Sequence, residues 1–403
     1  MDNATDILCD AVQNSYADGF LAKVYGAQCI VSLLAIPPAI AMCLAIGRAS
    51  ALHKNIRRLL VNFLIATILS NVGIMIVSGY HVWAVVSSNS VHKLCDMIAM
   101  TGRSCTRLQA VSSYGSFTIA TSLIFLAIER ICATVWFKTY ENGGYRKLGI
   151  VLSVSQWIMS IPALPFLGEV NTRYPYCQSA VVRPRASQYF MACMLIAQIT
   201  GLVIFVVLVI VNKRKMSRYF FNSALKLLSV RYQLKENIGT TKLMIPISIA
   251  SAFLYAISLI IIIVLLEDLP DNAQLTTKIA QKMISFARWR EMIGFAIPLH
   301  TFALCTVVVC YSSHIRQATI KLIGWNRRTI ATSKSGRTDP TARNSNVEAE
   351  QTKKRYFDAL KMQWESVTVS NQSKQQQCSL DVMASRKSHG SQKIAWDPQD
   401  TQL

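Results

Sequence analysis

Seven apolar runs, each about 20 residues or longer and each closed by clustered charges, constrain this chain more than any other feature. Coiled as an α-helix, a run of that length crosses the ~30 Å hydrocarbon layer of a bilayer. No water reaches that layer, so a spanning segment must satisfy its own backbone N–H and C=O groups, as a helix does. The runs cover residues 24–47, 59–86, 108–136, 148–168, 188–211, 243–266 and 289–311. The competing account is a large soluble protein with buried core helices, and seven charge-bounded runs argue against it. Charged residues make up 16% of the chain, against about 25% in a typical soluble domain. The expected fold is an all-α membrane protein, a bundle of seven transmembrane helices.

Several runs contain helix breakers: Pro37 and Pro38, Pro162 and Pro165, Pro246, and Pro298. Inside a membrane, neighbouring helices re-satisfy the carbonyl a proline frees, and the helix kinks. Orientation follows from Lys and Arg in the short loops. Loop 48–58 carries Arg48, Lys54, Arg57 and Arg58, and loop 137–147 carries Lys138, Arg146 and Lys147. Loop 212–242 is the most basic, with eight such residues, whereas loops 87–107, 169–187 and 267–288 carry three each. Residues 1–22 have none, only Asp2, Asp6, Asp10 and Asp18. The bias puts the N-terminus outside and the C-terminus inside. Asn3-Ala4-Thr5 is a glycosylation sequon that agrees with this, and Asn371-Gln372-Ser373 would then be cytoplasmic and unused. The polar, acidic start lacks the pattern of a cleavable signal, so the first span is expected to serve as its own targeting signal.

The net charge of +21 would suggest nucleic acid in a soluble protein. Here Lys and Arg flank the apolar runs, which points to topology and to anionic membrane lipids. The eleven cysteines include no CxxC, and the six histidines do not group at metal spacing. No Ser-His-Asp arrangement or phosphate loop is evident. No cofactor, metal or nucleic-acid partner is expected, and no enzyme activity.

The chain divides into an outer segment at 1–23, the bundle at 24–311, and two cytoplasmic parts. Residues 312–326 mix apolar and basic positions, end on Trp325, and read as a short amphipathic helix on the inner leaflet or as the frayed end of the seventh span. Residues 327–403 turn Ser-, Thr-, Gln- and Lys-rich, a composition that buries no core and reads as a disordered tail. The alternative function is a seven-helix channel or transporter, which should show intramembrane acids or internal repeats; the centres of the spans show almost no acids and no repeat is visible. A zinc-hydrolase-like membrane enzyme would need clustered His and Asp, and these are missing.

In the third run, Cys105 precedes Glu129-Arg130 by 24 residues, about 36 Å of helix, or one membrane thickness. An outer Cys followed by an acidic-Arg pair near the cytoplasm resembles the third helix of the G-protein-coupled receptor superfamily. That resemblance implies a disulfide from Cys105 to the second outer loop, where Cys177 is the available cysteine. Cys9 and Cys95 are also outside. Four cysteines allow three pairings, and if Cys105 takes Cys177, then Cys9–Cys95 would pin the N-terminal segment over the bundle; two free or differently paired thiols are the alternative. An Arg at the rim of a bundle needs a partner or water. Arg130 would pair with a carboxylate at rest and reach a partner protein when the helices open. Glu129 is adjacent, and Glu236 at the foot of the sixth span is a second carboxylate. The competing account of Arg130 is a snorkelling interfacial residue.

Polar positions inside the spans mark a candidate pocket. Ser248, Ser251, Tyr255 and Ser258 share one helical face, as do Gln109, Ser112 or Ser113, and Ser116. Two inward stripes would line a cavity of moderate polarity, and interhelical packing by small residues is the alternative. Arg288 and Glu291 share a face and are expected to pair; contact with a ligand at the outer mouth and anchoring among headgroups are the two alternatives for them. Ser112 stands seven residues after Cys105 where amine receptors carry an acid, so a biogenic amine fits poorly, and the seventh span has no Lys for a Schiff base.

Ile128-Glu129-Arg130-Ile131-Cys132-Ala133-Thr134, followed by Phe137-Lys138-Thr139-Tyr140-Glu141, resembles the nematode serpentine chemoreceptors. His53-Lys54-Asn55-Ile56-Arg57-Arg58-Leu59-Leu60-Val61-Asn62 and Arg231-Tyr232-Gln233-Leu234-Lys235-Glu236-Asn237-Ile238 resemble their Sre type, class epsilon. The resemblance spans most of residues 20–325. It implies a plasma-membrane receptor, in sensory-neuron cilia, that detects an external small molecule and activates a heterotrimeric G protein. The chain departs from the rhodopsin-like pattern at Pro298-Leu299-His300-Thr301-Phe302, and its second span has Asn62 and Asn71 but no Asp, so a sodium-linked switch is not expected. Cys310 and Cys378 are candidate palmitoylation sites.

Overall fold

The computed structural model describes residues 2–49, 52–136, 147–161, 173–220, 227–266, 276–312 and 315–320. A short helix, α1 (Asp2–Tyr16), precedes the first long one, α2 (Phe20–Arg48), with Gly19 between them at φ 65°. That left-handed conformation has no Cβ penalty in glycine and lets the chain reverse sharply. Then follow α3 (Lys54–Ser87), the short α4 (Val91–Ile98), and α5 (Gly102–Val135). After α6 (Leu148–Ser160) come α7 (Ser179–Val182), α8 (Pro184–Phe220), α9 (Leu227–Leu266), α10 (Thr277–Gly294) and α11 (Ala296–Tyr311).

Six helical stretches are long and apolar enough to cross a membrane, with α10 and α11 forming one of them, and α6 is a shorter apolar helix. The architecture is a seven-helix membrane bundle. Most helices outrun the apolar runs. The last span begins at Thr277 rather than at residue 289, because Lys, Gln and Ala continue a helix well beyond the hydrocarbon layer. Phe295 interrupts the last span, three residues before Pro298. The proline has no N–H to give the carbonyl of Gly294, so the ladder breaks there. Pro37, Pro38 and Pro246 lie inside continuous helices. Pro162 and Pro165 lie outside the described residues, as do residues 321–403 with Trp325 and Cys378.

The bundle is apolar on its outer surface, and its interior mixes apolar packing with buried polar side chains. Leu33, Leu34, Val203 and Phe253 are exposed on their helices, whereas Ser70, Asn71, Thr118, Ser122 and Gln156 are fully buried. Lipid accepts the outward side chains, so the interior is free to use hydrogen bonds and small residues. Asn71 Nδ2 donates to Thr301 Oγ1 at 2.9 Å, and Gln198 Nε2 to the Ala120 carbonyl at 2.8 Å. Glycine decides the closest approach: a Cβ on Gly115 would lie 2.6 Å from the Ser70 nitrogen, and one on Gly73 would collide with the Ser112 backbone. The backbones of α3 and α5 therefore touch at two points, a spacing only small residues permit.

One end of the bundle carries a cap. Leu8 and Val12 of α1 bury against Ala84, Ile98 and Ala99, and Cys9 is bonded to Cys95 of α4. The Tyr16 hydroxyl meets His81 Nδ1 at 3.0 Å, and the His81 ring stacks on Tyr25 with centroids 4.4 Å apart. Arg288 reaches Asp18 at 2.8 Å, at an exposed position.

Candidate functional site

The segment after α6 is tied to the capped end. Its strand β2 (Arg173–Tyr174) pairs antiparallel with β1 (Met100–Thr101), which leads into α5. Thr101 caps α5 by accepting the Ser104 N–H. Four residues into α5, Cys105 is bonded to Cys177, and one turn further Gln109 donates to the Cys177 carbonyl. The loop thus crosses the mouth of the bundle.

Beneath it lies a cavity of about 290 Å³. Its wall includes all of the two polar stripes except Ser248: Gln109, Ser112, Ser113 and Ser116 from α5, and Ser251, Tyr255 and Ser258 from α9. The contact of Gly115 with α3 sets the rotation of α5 and turns these serines inward. Ser116 Oγ meets Ser70 Oγ at 2.8 Å, the Tyr255 hydroxyl donates to the Ser116 carbonyl at 3.4 Å, and Ser251 Oγ meets His300 Nε2 at 3.2 Å. Ser248, on the same face of α9, is buried but not on the wall.

The wall also holds Glu291 and groups the sequence reading missed: Gln28, Ser78, Gln178, Arg183, Arg290 and His300. Two of these left a signal. Gln28 and His300 are polar residues inside apolar runs, and such residues turn toward a bundle interior. Arg288 and Glu291 do not pair as expected. Arg288 turns to Asp18 on the cap, while Glu291 turns inward. One carboxylate oxygen of Glu291 accepts from the Tyr176 hydroxyl and the other from Gln28 Nε2 at 3.0 Å. Gln28 in turn accepts from Ser78 Oγ at 2.8 Å. Burial, reinforced by the Glu291 charge, pushes the Tyr176 hydroxyl well above its ordinary pKa, so it remains a donor. Across the mouth, the Gln178 amide satisfies both neighbours when its oxygen faces Arg290: the oxygen then accepts from Arg290 Nε at 3.1 Å and the nitrogen donates to Gln109 Oε1 at 3.1 Å.

Arg130 lies 14 residues along α5 from Ser116, about 21 Å away toward the far end. It is one of the largest fully buried side chains, and Glu129 beside it is also fully buried. Nε and Nη2 grip the Glu129 carboxylate at 2.5 and 2.7 Å. A buried pair of this kind holds only if its remaining donors find acceptors, and Nη1 donates to Asn237 Oδ1 at 3.0 Å and to Thr240 Oγ1 at 2.8 Å, both on α9. Glu236, on this helix, was the second carboxylate considered for Arg130, after Glu129. Its Oε1 instead accepts the His53 N–H at 2.6 Å, at the start of α3. One helical position separates it from Asn237, a turn of about 100° that aims the two side chains at different neighbours.

Of the other expected sites, Asn3 lies in α1 and Cys310 is exposed on α11.

The family model for the serpentine type 7TM GPCR receptor class ab chemoreceptors matches residues 6–323. Serpentine receptor class alpha/beta-14 of Caenorhabditis elegans is 28% identical over 327 residues, covering 78% of this chain and 81% of that protein. A second C. elegans protein, described as a probable G-protein coupled receptor, is 26% identical over 219 residues, 50% of this chain and 54% of its own length. These matches support the nematode serpentine group but not the class epsilon type read from the loop motifs, which are short stretches at the helix ends. The seven-helix fold, the buried Glu129-Arg130 pair and the match over most of its length agree: this chain belongs to the class ab serpentine receptors, G-protein-coupled chemoreceptors of the membrane.

Proposed function

We propose that the capped end faces outside, that a small molecule from the surroundings occupies the cavity, and that the Arg130 cluster is the resting lock of the G-protein side. The observation that carries this reading is the sharing of two helices. α5 and α9 supply both the serine and tyrosine wall of the cavity and the partners of Arg130. A ligand that moves α9 against α5 therefore strains the hydrogen bonds to Asn237 and Thr240. The shift cannot exceed the ligand's difference in affinity for the two arrangements.

The loop charges and the acidic N-terminal segment support the orientation, and two disulfides at the capped end suit an oxidising exterior. Residues 315–320 are helical, with Ile315 buried in the main core, which fits a short helix turning onto the inner leaflet. The remaining tail is cytoplasmic in this reading, and Asn3 carries glycan. The receptor resides in the plasma membrane, and sensory-neuron cilia suit the family's chemosensory role.

The test uses the full-length receptor in cells with a promiscuous G-protein reporter. An N-terminal epitope should be accessible on intact cells, and Asn3→Gln should remove a glycan. A ligand response should vanish in Arg130→Ala at equal surface expression. A buried N-terminal epitope, or a response that survives Arg130→Ala unchanged, rejects the corresponding half of the reading.

A further inference from the structure

We propose that the cavity takes a small organic anion, a carboxylate on an apolar body, with its head held between Arg183 and Arg290. This rests on the reading of the cavity as the ligand site. The charged side chains on its wall are Arg183, Arg290 and Glu291. Each oxygen of the acid already accepts a hydrogen bond from the protein, one from Tyr176 and one from Gln28. Arg290 rests on the neutral oxygen of Gln178 at 3.1 and 3.3 Å. Neither Arg183 nor Arg290 forms an ion pair with a carboxylate among the described residues.

A guanidinium in a partly dehydrated cavity favours an anion that supplies two parallel acceptors, which a carboxylate does. A cationic ligand would have to share Glu291 with Tyr176 and Gln28 and do so beside two positive charges. Much of the remaining wall is apolar, with Phe117, Phe190, Leu254 and Ile262, interrupted by serine hydroxyls. The cavity measures about 290 Å³. It admits one small amphiphile, head toward the arginines and body toward Tyr255 and His300.

The test uses full-length receptor in nanodiscs and thermal stability as readout. The probes are medium-chain and aryl carboxylic acids, each beside the primary amide and primary amine of the same skeleton. At least one acid should raise the melting temperature while its amide and amine do not. Arg183→Gln and Arg290→Gln should each weaken that acid about tenfold or more, the scale of a lost charge-assisted hydrogen bond, and Arg183→Lys should restore part of it. Stabilisation by amides or amines alone, by acids undiminished in both Gln variants, or by no acid at all overturns the proposal. Two cavity-filling variants, Ser116→Trp and Leu254→Trp, separate it from the reading beneath it. If a neutral probe stabilises the receptor and both fillings abolish that effect, the cavity stands and the anion fails. If neither filling alters the strongest probe, the cavity itself is not the ligand site.

Discussion

Arg130 and Asn237 stand 107 positions apart in sequence, yet Nη1 of the arginine donates to the amide oxygen of the asparagine at 3.0 Å. A hydrogen bond to a charged group is worth about 1.5–3 kcal/mol, so breaking a contact made only at rest shifts the equilibrium about tenfold or more. Asn237→Ala and Thr240→Ala should therefore raise basal signalling, and the double variant should raise it further. Reporter output normalised to surface expression measures this. Basal output equal to wild type in both single variants and the double would rule the contact out as a lock.

The Tyr176 and Tyr16 hydroxyls both have pKa values raised above the ordinary 10, first by burial and then by the Glu291 charge. A raised folded-state pKa contributes stability that is present below pH 10 and declines as pH climbs above it. The melting temperature of purified receptor should be flat from pH 7 to about 9 and fall above about 10. Tyr176→Phe should lower stability at neutral pH and flatten that alkaline fall. An alkaline slope identical in the variant would remove Tyr176 from the account.

Gly115 has no room for a side chain, because a Cβ there would lie 2.6 Å from backbone nitrogen and 2.8 Å from the Ser70 Cα. Overpacking costs about 1–3 kcal/mol where the neighbour must move. Gly115→Val should sharply reduce surface expression and thermal stability, whereas Gly201→Val, at a position where a Cβ meets nothing within 4 Å, should be tolerated. Equal behaviour of the two valine variants would contradict the close helix contact.

The two disulfides should differ in consequence. Cys105–Cys177 closes a separation of 72 residues over the cavity mouth, while Cys9–Cys95 secures α1 across 86. Cys105→Ser, Cys177→Ser and their double should share one defect in ligand response, since each removes the same bond. Cys9→Ser should mainly increase hydrogen exchange and protease access in residues 2–16, the α1 helix. Normal ligand response in all the Cys105 and Cys177 variants would show that the bond does not shape the mouth.

Length and polarity made the bundle legible in sequence. A membrane helix must be long and apolar, and the run lengths alone give the number of spans. The wall serines and Tyr255 were legible because polar positions at 3–4 residue spacing define a face. What escaped was long-range pairing. Nothing local says that Glu291 meets Gln28, 263 positions away, or that Asn237 rather than Glu236 meets Arg130. A carboxylate is the obvious partner for a guanidinium on charge alone, but the 100° between successive helical residues decides which one faces it. The family class was misread for a related reason. Short loop motifs carry little information, whereas the class match rests on residues 6–323.

The contacts of Gly73 and Gly115 have a mechanical consequence. With their backbones touching at two points one turn apart, α3 and α5 are pinned together at that level and resist sliding past each other. The opposing member is α9, and it is weakest at Pro246, five residues from Ser251 on the cavity wall and six from Thr240 at the arginine. The receptor thus has the parts of a lever: a pinned post, an arm jointed near its midpoint, a load on one half and a latch on the other.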